Sequence, residues 1–170
     1  EGRIESFSRD GSRALLRSGA SATVWDLTSD EPIFKVDGLF GQSACTAAMS
    51  ADGRQVLSGH PDMKAVLWDV GTGQVIHEMR NQRAFVRAVA FSPDGNWVAF
   101  MADDKVRKVL YAGSEPVTLC EATNTFSLTW ESDQSLLITE NEGNTLARID
   151  TDSGIKKILD PSLGSYALDV

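Results

Sequence analysis

Much is missing from this chain, and each absence removes a class of function. No stretch approaches the roughly 18 consecutive apolar residues that a membrane-crossing helix needs, and no charged-then-apolar leader opens at Glu1. A cytoplasmic setting is the expectation, with a periplasmic or extracytoplasmic one as the alternative. There are two cysteines in 170 residues, Cys45 and Cys120, too few for a disulfide framework. An excess of basic residues is also missing: 16 Lys and Arg stand against 24 Asp and Glu, giving a net charge of -8. Nucleic-acid binding needs the opposite balance, because affinity there comes from neutralising phosphates. The strongest basic group is local (Arg80, Arg83 and Arg87, then Lys105, Arg107 and Lys108) and reads as solvated strand and loop faces before a partner-facing patch. His60 and His77 are the only histidines. No GxSxG elbow, phosphate loop or GxGxxG is present. The composition names no catalytic residue, no metal ligand set and no cofactor.

A repeat is present. ESFSRDGSRALL from Glu5, AAMSADGRQVLS from Ala47, VAFSPDGNWVAF from Val89 and LTWESDQSLLIT from Leu128 align on Asp10, Asp52, Asp94 and Asp133, at spacings of 42, 42 and 39 residues. A second landmark follows each turn: VWDL, LWDV, VLYA and ARID, from Val24, Leu67, Val109 and Ala147. A period of about 40 residues built from short strands is that of a β-propeller blade. The third period divides into strand A at Phe85 to Phe91, B at Asn96 to Met101, C at Lys105 to Tyr111 and D at Val117 to Cys120. SPDG makes the A–B turn, with Pro93 fixing φ and Gly95 free to take positive φ. The expected fold is all-β: a propeller segment over 1–170, with about four four-stranded antiparallel blades near 3–37, 44–80, 85–121 and 126–160. SYALDV at 165–170 matches the start of a further blade. A helix has room only around Gly38 to Ala44.

The WD dipeptides Trp25-Asp26 and Trp68-Asp69, with the DG turns, resemble the WD-repeat family. That resemblance implies a structural hydrogen-bond network from Ser58, Asp62 and Trp68, with Trp25 and Trp68 as core anchors. The His of the family's Gly-His pair is absent, with Phe40 and Gln82 near its places. Blades three and four, where Tyr111-Ala112 replaces WD and AGSEPVTL forms the C–D hairpin, resemble TolB-like bacterial propellers. That implies a bacterial source and, as one alternative, an extracytoplasmic sensor attached to a signalling kinase.

Four blades of this type leave a strained ring or an open arc with an exposed apolar face. A larger propeller, a pair of copies or a partner subunit would each complete it, and SYALDV favours the first. Function is expected at the face shared by the D–A and B–C loops, where Phe40, His60, Met63, Arg80, Arg83 and Phe85 are the candidate partner-binding residues. The leading expectation is a non-enzymatic scaffold for protein–protein interaction within a larger protein or complex. Its partner is a protein or additional blades, and its exposed blade edges leave self-association open. A propeller enzyme with a central-channel site is the rival, for which the inner strands offer only Glu5 and Glu131. Asp150-Thr151-Asp152-Ser153-Gly154 resembles a calcium loop but matches the C–D hairpin turn of the other repeats. Cys45 and Cys120 fall on inner and outer strands, too far apart for a bond.

Overall fold

The structure, a computed structural model, describes residues 2–37, 47–60, 62–80, 85–111, 113–123, 125, 127–140 and 145–160. These form sixteen strands in four antiparallel sheets. Blade 1 holds β1 (Gly2–Phe7), β2 (Arg13–Ser18), β3 (Ser21–Asp26) and β4 (Glu31–Asp37). Blade 2 holds β5 (Ala47–Met49), β6 (Gln55–Gly59), β7 (Ala65–Asp69) and β8 (Val75–Met79). Blade 3 holds β9 (Ala88–Phe91), β10 (Trp97–Ala102), β11 (Lys105–Leu110) and β12 (Val117–Glu121). Blade 4 holds β13 (Ser127–Ser132), β14 (Ser135–Glu140), β15 (Thr145–Asp150) and β16 (Lys156–Asp160). Each sheet is a meander in chain order, and no helix occurs among the described residues. The region around Gly38 to Ala44, Cys45 and the SYALDV segment lie outside the described residues.

Alternation along the strands builds three cores, each between two sheets. Leu15, Val24, Phe34 and Val36 of blade 1 meet Met49, Val56 and Trp68 of blade 2. Leu57, Leu67 and Met79 of blade 2 meet Val89, Val98, Phe100 and Val109 of blade 3. Ala90, Ala99, Met101 and Val106 of blade 3 meet Leu128, Leu136, Ile138 and Ile149 of blade 4. Strand A packing runs in series, β1 on β5, β5 on β9 and β9 on β13. No comparable packing joins β13 to β1 among the described residues. Among the described residues the four blades stack in series as an arc.

The aligned Asp residues explain why the turns repeat. Ser8 Oγ donates to Asp10 Oδ1 at 2.7 Å, Ser50 to Asp52 at 2.6 Å and Ser92 to Asp94 at 2.5 Å. The same serine oxygens accept from the backbone N–H of Arg13, Gln55 and Trp97, closing the first rung between strands A and B. Gly11, Gly53 and Gly95 take φ of +72°, +71° and +75°, the left-handed region that glycine enters without Cβ strain. Blade 4 has a shorter turn and no glycine there. Ser132 and Ser135 bond each other at 2.8 Å, and Asp133 instead accepts the N–H of Asp94 from blade 3.

Hydrogen bonds to the carboxylate, from Ser12 first, hold the Asp10 pKa down at about 2 against an ordinary 3.8. Asp94 is lowered by Ser92 first. In Asp52, burial opposes the shift but donors led by Ser50 still win, and its pKa is also lowered. A carboxyl with a depressed folded-state pKa contributes stability that is present above its unfolded pKa and lost as pH falls through the folded one. Melting temperature is therefore expected to decline as pH drops from about 4 toward 2. Asp10→Asn should flatten that decline, which thermal melts across the interval will read.

Candidate interaction surface

Blade 2 builds its own hydrogen-bonded frame beneath the loop face. Trp68 Nε1 donates to Ser58 Oγ at 2.8 Å, His60 Nε2 lies 2.9 Å from the same oxygen, and Ser58 Oγ is 3.2 Å from Val66 O. A serine hydroxyl has one hydrogen and two lone pairs. One lone pair takes the Trp68 N–H, and the single hydrogen goes to Val66 O or to His60 Nε2 according to the imidazole tautomer. His60 is 9% exposed, and burial pulls its pKa below 6.5, with Asp62 opposing. This residue, expected on an open binding loop, is instead placed in the frame. Asp62 is exposed and ion-paired to Lys64 at 3.0 Å, outside the network that the WD resemblance implied for it. His60→Ala removes one hydrogen-bond partner from a buried serine and should cost about 1–2 kcal/mol in urea unfolding.

The remaining candidates gather at that end of blade 2. Met63 projects from the β6–β7 connection with a φ of +66° and is exposed. Arg80 follows β8 and pairs with Glu78. Phe85, exposed, precedes Val86, which is fully buried and packs so closely over Gly59 that a Cβ there would lie 3.0 Å from Val86 Cγ1. Phe85 is thereby fixed over the β6 end of blade 2. Asp62–Lys64, Glu78–Arg80 and, on blade 3, Arg87–Asp104 at 3.9 Å are ion pairs on connections at the same end of the blades. Asp103 and Asp104, with φ of +55° and +52°, form the tight turn between β10 and β11. Phe40 and Arg83 lie outside the described residues.

The inner face carries little chemistry. Glu5 is held by Arg17 Nε at 2.7 Å. Glu131 accepts from Arg148 Nε at 2.6 Å and Nη2 at 2.5 Å, which with Ser135 keeps its pKa low. Both carboxylates are committed to arginines rather than poised for proton transfer. Asp150 accepts from the N–H groups of Asp152 and Ser153 and from Ser153 Oγ, a turn repeated by Asp26 with Thr28 and by Asp69 with Thr72. It is a hairpin turn. Among the described residues no cluster of three or more His, Cys, Asp or Glu is placed to hold a metal ion. Nor is any helix among them long and apolar enough to cross a membrane. Burial raises the Cys120 thiol pKa, the opposite of nucleophilic activation.

The register also corrects the alignment of the third blade. Trp68 lies across from Val56, Trp25 across from Ala14, and Ile149 across from Leu136. Their counterpart across from Val98 is Val109, so Val109-Leu110, rather than Tyr111-Ala112, occupies the WD position.

The family model "WD domain, G-beta repeat" matches residues 73–115, from the C–D turn of blade 2 through blade 3 into its own C–D turn. The chain is 31% identical over 104 residues to Autophagy-related protein 16 of Arabidopsis thaliana, covering 60% of this chain and 20% of that protein. It is 26% identical over 157 residues to Small ribosomal subunit protein RACK1y of Oryza sativa subsp. japonica, covering 87% of this chain and 44% of that one. The chain therefore spans less than half the length of these relatives. The crystal structure of RRP9 WD40 repeats superposes with a TM-score of 0.78 at 16% identity, covering 94% of this chain and 54% of that one. The structure of U3-55K gives 0.77 at 15% identity, covering 94% and 55%. The superpositions show the propeller fold, and the repeat match falls within it at residues 73–115.

Proposed function

We propose that the chain is a non-catalytic propeller scaffold that holds a protein partner on the loop face of blades 2 and 3, as a module of a larger protein or complex in a cytoplasmic setting. One observation carries this reading: exposed Met63 and Phe85 and three ion pairs lie on connections at the same end of two four-stranded sheets. Apolar anchors and charged pairs on loops that a stiff scaffold holds still bind with little ordering cost. Phe40, Arg80 and Arg83 belong to the same proposed surface. RACK1y is by name a small ribosomal subunit protein, a component of an assembly, which fits a scaffold role here.

The finer alternative, a bacterial TolB-like sensor beside a kinase, draws its support from the AGSEPVTL hairpin. The WD repeat match takes in the rest of blade 3 and ends within that hairpin, which favours the WD scaffold. The test is a Met63→Ala, Arg80→Ala, Phe85→Ala variant in quantitative affinity enrichment from cells. Partners enriched by the native chain should fall at least about tenfold, with the melting temperature within about 2 °C of native. Undiminished enrichment would sink the proposal.

A further inference from the structure

We propose that the groove across the A–B turns of blades 1 to 3 is a second docking site, which takes an extended acidic segment of a protein partner. Strands in a meander alternate direction, so these turns lie at the opposite end of the sheets from Met63 and Phe85. Neighbouring A–B turns are tied together at two blade junctions. Arg9 N–H donates to Ala51 O at 2.7 Å between blades 1 and 2, and Asp94 N–H donates to Asp133 Oδ1 at 2.9 Å between blades 3 and 4. Between blades 2 and 3 no backbone hydrogen bond joins the described turn residues. A groove of about 760 Å³ opens there. Blades 1 and 2 line it with Arg9 and Arg54, and blade 3 with Pro93 and Tyr111.

The two arginines are unusual in this chain. Asp and Glu outnumber Lys and Arg by 24 to 16, and Arg17, Arg80, Arg87, Arg107 and Arg148 each hold a carboxylate. Arg9 and Arg54 are exposed and form no such pair among the described residues. The repeat shows how Arg54 departs from its counterparts. The residue after the turn glycine is Ser12 in blade 1 and Asn96 in blade 3, and each side chain donates back to its own turn carboxylate at 2.8 Å. The Arg54 guanidinium makes no such bond and reaches Asp52 only as a longer-range charge. Asp10, Asp52 and Asp94 also line the groove. Their Oδ1 atoms already receive turn donors, from Ser8 and Ser12, from Ser50 and Arg54 N–H, and from Ser92 and Asn96 N–H. The groove therefore lacks acceptors rather than donors, which selects an acidic segment over a basic one. A compact phosphate between the arginines would face the three carboxylates with nothing to donate. A peptide can donate its N–H groups to them while its acidic side chains engage the guanidiniums. Tyr111, held by its N–H to Asn96 O at 3.0 Å, and Pro93 are exposed and offer ring surface to an apolar residue of the same segment. A partner on the loop face and a segment here would occupy opposite ends of blades 2 and 3 at once.

The probe is a phage-displayed library of random peptides of about 12 residues, long enough to cross the groove when extended, selected on the immobilised chain. Peptides taken up by the native chain and not by the Arg9→Ala, Arg54→Ala variant should be rich in Asp and Glu, with Pro or an aromatic residue beside them. The tightest, made with a fluorescein label, should bind that variant at least about tenfold more weakly and Tyr111→Ala at least about threefold more weakly. Arg9→Glu, Arg54→Glu should prefer the same peptide with its acidic residues changed to lysine. All three variants should melt within about 2 °C of native, because the side chains are exposed. Met63→Ala, Arg80→Ala, Phe85→Ala should leave peptide affinity unchanged, which separates this site from the loop face. Selection that yields only basic peptides, or none sensitive to Arg9 and Arg54, overturns the proposal. So does displacement of the peptide by inorganic phosphate as effectively as by unlabelled peptide.

Discussion

Truncating Phe100 to alanine is expected to lower the free energy of unfolding by about 3–5 kcal/mol, the largest effect of any single change described. Phe100 is the largest fully buried side chain and sits in the core between blades 2 and 3. Its neighbours across the strands are Val89 and Arg107, and the facing sheet presents Leu57 and Leu67. Two sheets, each fixed by its own ladder, cannot collapse into the space of a lost ring. The cost is then the transfer term plus most of a cavity. Urea unfolding should show a lower midpoint with an unchanged slope. Phe85→Ala, at an exposed position, should stay within about 0.5 kcal/mol of native and serves as the control.

The two WD tryptophans are expected to part company. Trp68→Ala should cost about 3 kcal/mol, because it removes a ring tilted against Phe34 at 6.2 Å and the donor to Ser58 Oγ. Trp25→Ala should cost about 1 kcal/mol, since its ring is half-buried and belongs to none of the three inter-blade cores. The two variants compared in one denaturation series measure how much of a WD tryptophan's contribution depends on the preceding blade.

That divergence marks the limit of what the residues reveal on their own. The blade period was legible because its turns are local chemistry: Ser, Asp and Gly at fixed offsets satisfy one another within five residues. Strand alternation in the sequence marks Leu15, Val56, Leu57, Val66, Val98, Phe100, Leu137 and Ile138 as core positions, and all but Leu137 are essentially inaccessible. Leu137 broke the pattern, being half-buried on the outward face of blade 4. Neither Leu137 nor Trp25 differs locally from its buried counterparts. Only the neighbour across the sheet differs, and that is not encoded within a single repeat. His60 was misplaced for a related reason. A histidine after a strand reads as a loop residue unless the serine two positions back is seen to need a second hydrogen-bond partner. The third-blade register slipped because Val109-Leu110 carries no WD dipeptide to align on.

The account's central claim is that the four described blades stack in series as an arc, and intramolecular distances test it most directly. Spin labels can be placed at exposed outer-strand positions 35, 75, 117 and 157, one per blade, with both native cysteines replaced. Double electron–electron resonance should then give distances from position 35 that increase in the order 75, 117 and 157. A closed four-bladed ring would instead bring 157 as near to 35 as 75 is, and that result would contradict the account.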